Sequence, residues 1–217
     1  SLKHADIGVA MGITGTDVSK GAADMILTDD NFTTIVAAIE EGRNIYNNIK
    51  KAVIFLLSCN LGEIVAIFIS VLFSFAIPLL PTQILWVNLV TDTLPAISLG
   101  VDPGDDAVMK KKPRNPKESF FAQGAVVRAI IGGLLIGGLT LLAFSIGLAE
   151  RGVSLRDSMS APDDVIVYAR TMAFVVLATS QLFYSLTMRS ETKSIFQVGI
   201  FKNKYLILSI IAGVVLQ

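Results

Sequence analysis

The sequence predicts a mainly α-helical, polytopic membrane protein, entered through a short α/β segment and a helical stalk. Three observations predict it. The 217 residues are 53% hydrophobic and 17% charged, with a mean hydropathy of +0.65, too apolar for an ordinary soluble domain. Five apolar segments follow residue 51, and four of them have the ~20 residues that cross ~30 Å of hydrocarbon. The first 32 residues alternate short apolar runs with a polar helical pattern, as an α/β piece does.

The elements follow in order. "DIGVAMG" (Asp6 to Gly12) ends an apolar run in glycine and reads as a buried strand. "TDVSKGAA" (Thr16 to Ala23) reads as one short helix and "DMILTDD" (Asp24 to Asp30) as a second strand. Residues 1–32 are too few to hold a core alone. Asp30 or Asn31 can cap a helix that starts near Phe32, because a short side-chain oxygen accepts from free first-turn N–H groups. The helical pattern then runs on through "TIVAAIEEGRNIYNNIKKAVIFLL", so residues 33–51 form a polar stalk feeding the first span. Residues 52–217 form the transmembrane part, with spans at about 52–77, 79–100, 125–148, 165–186 and 205–217, the last cut short. Pro78 and Pro81 mark a tight, uncharged turn between the first two. "GGLLIGG" (Gly132 to Gly138) has the small-residue spacing of close helix packing.

Charge places the ends. Lys50 and Lys51 precede span one, Lys110, Lys111, Lys112, Arg114 and Lys117 follow span two, and Arg189, Lys193, Lys202 and Lys204 follow span four. The loop after span three sets Arg151 and Arg156 against Glu150, Asp157, Asp163 and Asp164. Basic loops favour the cytoplasm, and these all fall on one side if each segment crosses once. The N-terminal end is then cytoplasmic. The net charge of zero gives no reason to expect a nucleic-acid partner. Cys59 is the single cysteine, so the chain has no internal disulfide framework. The first thirty residues lack the charged start and apolar block of a leader peptide. The chain begins at Ser1 and stops inside an apolar run, as a fragment of something longer would. His4 reads as a surface residue and "GITG" (Gly12 to Gly15) as a turn, a phosphate cradle being the minor reading.

Polar residues inside the spans raise the functional question. Asn60 and Glu63 stand three apart on span one, and Asn88, Thr91 and Asp92 stand at i, i+3 and i+4 on span two, so each set shares a helix face. Both lie about ten residues, or ~15 Å, from a span end, near the midplane. Gln181 lies within span four. An ionised carboxylate facing lipid is unfavourable by roughly 2.5–3.5 kcal/mol on insertion scales. Two facing carboxylates need a cation or protons between them, and a hard cation such as Ca²⁺ takes six to eight oxygens from carboxylates, amides, hydroxyls and carbonyls. Pro95 cannot donate to the helix ladder, so unwinding of span two near Asp92 is expected, with carbonyls freed as ligands. Asn60, Asn88 and Gln181 taken singly also fit ordinary inter-helix hydrogen bonding. Glu63 and Asp92 together fit it poorly, because two acids make poor neutral glue.

Several long motifs now resemble a known family. "ADIGVAMGITGTDVSKGAADMILTDDNFTTIVAAIEEGRNIYNNIKK" resembles the end of the phosphorylation domain and the stalk of P-type cation-transporting ATPases. "SCNLGE", "LWVNLVTDTLPAISLG" and "MKKKPRNPKES" resemble the fifth and sixth membrane helices and the following cytoplasmic loop of the calcium-pump, sarcoplasmic-reticulum-like subgroup, and "TMAFVVLATSQLF" its eighth helix. The likeness covers nearly all of the chain. It implies that the five spans are helices five to nine of a ten-helix pump, and that the chain is a C-terminal fragment. It implies that Asn88 and Asp92 bind one Ca²⁺, and that Asn60, Glu63, Thr91 and the shared Asp92 bind another. Gln181 stands where the family can place a Glu in this second site, which leaves a full second site in question.

Residues 1–217 contain no "DKTGT", "TGES" or "TGDGVND". No catalytic or cofactor-binding residue is therefore expected in this chain. ATP and Mg²⁺ would be used by the missing N-terminal part of the same pump. The resemblance implies an integral, multi-pass protein in the lipid bilayer, in a plasma membrane such as a bacterial cell membrane, exporting Ca²⁺ from the cytoplasm with protons returning. Mn²⁺ is the nearest alternative ion, since it also accepts oxygen ligands. A passive channel or secondary transporter with an acidic midplane site is the rival of another class, and a non-transporting membrane subunit is a third. A "DKTGT" segment upstream of Ser1 would separate the pump from both.

Overall fold

A computed structural model describes residues 2–103, 108–110, 112–113, 120–122, 124–190 and 195–217. Lys111, Arg114, Lys117 and Lys193, with most of "MKKKPRNPKES", lie outside the described residues. The chain separates into two compact units. The first holds the residues up to Tyr46 together with the short 3₁₀ turn Val108–Lys110. The second holds the remaining described helices from Asn47 onward.

In the first unit, strands β1 (Val9–Met11) and β2 (Met25–Leu27) pair in parallel, Val9 opposite Met25 and Met11 opposite Leu27. Helix α1 (Asp17–Ala22) supplies the crossover that a parallel pair requires. Thr16 caps it, its hydroxyl accepting from the Ser19 N–H at 3.3 Å. The strands are shorter than the apolar runs that announced them.

The "GITG" loop is a turn held from within. The Asp30 carboxylate accepts the backbone N–H groups of Ile13 (2.8 Å) and Thr14 (2.7 Å) and the Thr14 hydroxyl (2.7 Å). These bonds favour its charged form and hold its pKa down at about 2. Asp30 itself stands at φ +51°, in the left-handed region that Asp tolerates better than most residues. With Asp30 so engaged, Asn31 makes the helix start. Its Oδ1 accepts the Thr33 N–H at 3.0 Å, where α2 (Thr33–Leu72) begins.

Helix α2 runs 40 residues without interruption. It stops at Leu72, short of Ile77, in a Schellman arrangement. Ser74 takes the left-handed conformation (φ +55°), its N–H bonds Val71 O at 3.1 Å, and the Phe75 N–H bonds Ser70 O at 2.7 Å. The second apolar segment is three pieces rather than one helix. Helix α3 (Pro81–Trp86) begins with Pro at its first position, and Gln83 Oε1 accepts the Leu80 N–H. A π-helical turn follows at Val87–Thr91, closed by the Asp92 N–H on Val87 O at 2.9 Å. Helix α4 (Thr93–Gly100) completes the segment. The irregularity expected near Asp92 is present, as a π turn rather than as unwound chain. Pro95 sits inside α4, and the irregularity lies one turn earlier, on the N-terminal side of Asp92.

Helices α5 (Ala125–Ala149) and α6 (Asp163–Thr187) pack closely on each other, and the short α7 (Ile195–Val198) leads to α8 (Lys204–Leu216), capped by Asn203 on the Leu206 N–H. Helices α2, α5 and α6 are each long and apolar enough to cross a membrane. The core of this unit joins Phe55 and Cys59 of α2, Leu99 of α4, Ile136 and Phe144 of α5, Leu177 and Leu182 of α6, and Leu206 of α8, all shielded from solvent. Glycines let α2 and α5 touch backbone to side chain. A Cβ on Gly62 would lie 2.8 Å from Ile136, one on Gly133 2.7 Å from Leu61, and one on Gly137 2.7 Å from the Gly62 carbonyl oxygen. Gly138, one residue on, has nothing within 4 Å.

Candidate cation-binding site

Close glycine packing brings the middle of α2 deep into the second unit, and Glu63, next to Gly62, is buried there. Its carboxylate receives two amides. Asn88 Nδ2, in the π turn, donates to Glu63 Oε2 at 2.9 Å, and Gln181 Nε2, on α6, approaches Oε1 at 3.4 Å. Three helical segments thus converge on one carboxylate. The Asn88 amide also donates to Ile84 O at 3.1 Å, which steadies it within its own segment.

Asp92 is fully buried beside the Cys59 thiol, a weak donor, and neither carboxylate oxygen has a hydrogen bond of good geometry; nor has Gln181 Oε1. Buried polar atoms are nearly always satisfied, so three unsatisfied oxygens in the unit that holds the Glu63 cluster are exceptional. Carboxylate and amide oxygens are the donor types that hard cations take. Asn88 and Gln181 now turn N–H toward Glu63, and a half-turn of either amide replaces that donor with a carbonyl oxygen. Among the described residues no cluster of three or more His, Cys, Asp or Glu side chains forms a metal site. The acids here number two, Glu63 and Asp92.

The remaining residues singled out in the sequence lie differently. Thr91 is buried, and its hydroxyl accepts from Gln217 Nε2 at 2.7 Å. Asn60 is exposed and donates to Leu56 O of its own helix at 2.8 Å. The structure does not bring either into the Glu63 hydrogen-bond cluster. The π turn supplies one more polar group. The Thr93 hydroxyl donates to Asn88 O at 3.1 Å, occupying a carbonyl that the widened turn leaves accessible.

One cluster escaped the sequence reading. Asp102 accepts from Arg189 Nε (3.0 Å), Asn203 Nδ2 (2.8 Å) and Lys51 Nζ (3.1 Å), and its backbone carbonyl accepts from Asn48 Nδ2 (2.7 Å). Asp102, Arg189, Asn203 and Asn48 are all buried. Lys51 and Arg189 read in the sequence as orientation signals, and nothing there singles out Asp102. Only the nearness of an acid at one helix end to bases at two others could have hinted at the cluster.

Comparisons with known proteins agree with this architecture. Residues 76–217 match the model of the family described as cation transporting ATPase, C-terminus. The chain is 58% identical to Calcium-transporting ATPase 1 of Bacillus cereus over 221 residues, spanning all of this chain and 25% of that protein. It is 47% identical to Calcium-transporting ATPase of Bacillus subtilis, over all of this chain and 23% of that protein. It is 44% identical to human Calcium-transporting ATPase type 2C member 1, over 98% of this chain and 22% of that protein. The chain thus spans about a quarter of the length of the curated relatives it matches. With more than half of its residues inside the family match and three helices long and apolar enough to cross a membrane, the chain belongs to the C-terminal, membrane-embedded region of the cation-transporting P-type ATPases.

Proposed function

We propose that this chain is the transport half of an ATP-driven pump that exports Ca²⁺ from the cytoplasm. The observation that carries the reading is the pair of buried carboxylates on different segments, Glu63 and Asp92, with both Asp92 oxygens and Gln181 Oε1 left without hydrogen bonds of good geometry. Ca²⁺ is the substrate, held between acids and neutral oxygens. The names of the relatives support calcium over other cations, and Mn²⁺ remains the alternative ion. Protons replace the ion when it leaves, because two acids buried in one unit do not both stay ionised without a cation. ATP and Mg²⁺ are used by the rest of such a pump. The N-terminal end faces the cytoplasm, and a plasma membrane is the setting.

Within the site, Asp92 is the central ligand, with Asn88 beside it on one segment and Glu63 on α2; Thr91 and Asn60, which stand outside the Glu63 cluster, would have to turn away from Gln217 and Leu56 to join it. Gln181 offers a neutral oxygen where a Glu would add charge, so one tightly bound ion is expected. The test is equilibrium binding of radiolabelled Ca²⁺ to the full-length pump. Asp92→Asn removes a unit charge from a site with no compensating hydrogen bond of good geometry. Unpairing a buried charge typically costs 3–5 kcal/mol, so affinity falls by at least about two orders of magnitude. Glu63→Gln and Gln181→Glu act on the second position, weakening and strengthening it respectively. Wild-type binding in Asp92→Asn sinks the assignment, and two equal tight ions in the unmodified pump show that Gln181 suffices as a ligand. Mn²⁺ displacing the label more effectively than Ca²⁺ itself would replace the substrate.

A further inference from the structure

We infer that Asp102 is a positioning residue for the cation site, fixing the height and rotation of Asp92 against Glu63 from the far end of α4. This rests on the transport reading above. Asp102 stands two residues beyond the last residue of α4, buried, and its carboxylate gathers donors from three different segments: Lys51 on α2, Arg189 just past α6, and Asn203 at the cap of α8. Each donor is itself tied. Lys51 also reaches Asn48 Oδ1 at 3.2 Å, and Arg189 Nη1 donates to Gly199 O at 2.8 Å. The Asn203 amide also donates to Ser98 O at 2.9 Å, and its Oδ1 caps α8. Further along the same face, Ser98 and Ser209 share a 2.6 Å bond, and Ser209 also reaches Leu94 O at 3.2 Å. Helix α4 is therefore gripped by directional bonds along its length, from Leu94 to Asp102.

The geometry makes this grip bear on the site. Asp92 and Asp102 are ten residues apart, about 15 Å along a helix, and Lys51 and Glu63 are twelve apart, about 18 Å. The stretch of chain bearing Asp92 and the helix bearing Glu63 are thus joined at two levels, once where Asn88 donates to Glu63 and once where Lys51 donates to Asp102. On the other side of Asp92 lies the π turn, where the hydrogen-bond ladder is loosened. The anchor that sets the height of Asp92 is then the downstream one. Apolar packing resists separation of helices but tolerates sliding and rotation, whereas charged hydrogen bonds of fixed direction do not. A buried ion pair adds little net stability compared with apolar residues in its place, and its best attested use is to fix register. A Ca²⁺ site needs that accuracy, since its ligands must lie within a few tenths of an ångström of their ideal distances.

The experiment is Ca²⁺-stimulated ATP hydrolysis by the full-length pump, reading the half-maximal Ca²⁺ concentration separately from the maximal rate. Asp102→Asn keeps shape and removes the charge that two bases share. Its half-maximal Ca²⁺ concentration is expected to rise about tenfold, with the maximal rate at saturating Ca²⁺ kept within about twofold. Lys51→Met removes one of three donors at a partly exposed position and is expected to raise it about threefold, and Asp102→Glu, which keeps the charge, recovers most of the affinity. A lower maximal rate or yield with unchanged Ca²⁺ dependence in both Asp102→Asn and Lys51→Met means a structural clamp only and overturns the inference. If Asp102→Asn does not accumulate, Lys51→Met decides by the same criterion. An unmodified pump without Ca²⁺-stimulated hydrolysis overturns the transport reading and this inference with it.

Discussion

Replacing Gly137 with Ala tests how tightly the cation site depends on helix spacing. The added Cβ lies 2.7 Å from the Gly62 carbonyl oxygen and 2.9 Å from Val65 Cγ1. Ordinary contact starts at 3.4 Å, so the shortfall against the carbonyl is 0.7 Å. A backbone oxygen in a continuous helix cannot swing aside as a side chain can, so α2 and α5 must separate. Gly62 precedes Glu63, whose Oε2 is held by Asn88 at 2.9 Å. A 0.7 Å displacement passed on in full takes that bond past the 3.5 Å limit of hydrogen bonding. Overpacking of this kind typically costs 1–3 kcal/mol, which in affinity is roughly 5- to 150-fold. The assay is thermal unfolding of the purified full-length pump together with radiolabelled Ca²⁺ binding. Gly138→Ala is the control, with the same substitution one residue along and nothing within 4 Å to meet. It should behave as wild type in both measurements, while Gly137→Ala loses stability and weakens Ca²⁺ binding. Equal behaviour of the two variants refutes the argument from spacing.

Two further outcomes are expected. Cysteines placed at Lys112 and at Met159 in the Cys59→Ser background should label from opposite faces of sealed vesicles. Met159 is 69% exposed, whereas its neighbour Ser158 is buried and accepts the Ala76 N–H, so it would report burial rather than sidedness. Asp30→Asn should speed hydrogen exchange at the Ile13 and Thr14 amides, which the carboxylate now holds. In the unmodified chain the Asp30 pKa is lowered from 3.8 to about 2, so the loop's protection is present above pH 3.8 and lost as pH falls through about 2, after correction for intrinsic exchange.

Much of the fold is visible in the order of apolar runs, because burial in lipid or in a parallel strand pair demands unbroken hydrophobic stretches. The paired strands around "TDVSKGAA" and the long helix from Thr33 follow from pattern and capping residues alone. The end of α2 does not. A Schellman turn with Ser74 rather than Gly at the left-handed position carries no sequence mark, and the apolar run continues past it to Ile77. Pro95 drew attention to this stretch, and its missing N–H leaves the Thr91 carbonyl without that donor, but no residue pattern shows that the irregularity is a widened turn at Val87–Thr91. At the site, periodicity groups Asn60 with Glu63 on one face, but three residues on a helix are also 60° apart, enough to leave Asn60 exposed and Glu63 buried. The approach of Gln181 to Glu63 and the gathering of Arg189 and Asn203 on Asp102 join residues up to 118 positions apart. Contacts at that range are set by packing, and no local pattern records them.

The π turn at Val87–Thr91 has one further consequence, for changes in chain length. A π turn is an α-helix carrying one surplus residue. The second apolar segment therefore holds a single residue of slack, stored immediately before Asp92. Losing one residue between Val87 and Thr91 lets the turn close into regular α geometry, with α4 and the Asp102 anchor left where they are. Losing one residue between Leu94 and Ser98 has no such reserve to draw on. It turns everything beyond it by about 100° and draws it in by about 1.5 Å, swinging Asp102 away from Lys51, Arg189 and Asn203. The same deletion, a few positions apart, is absorbed in one place and propagated in the other.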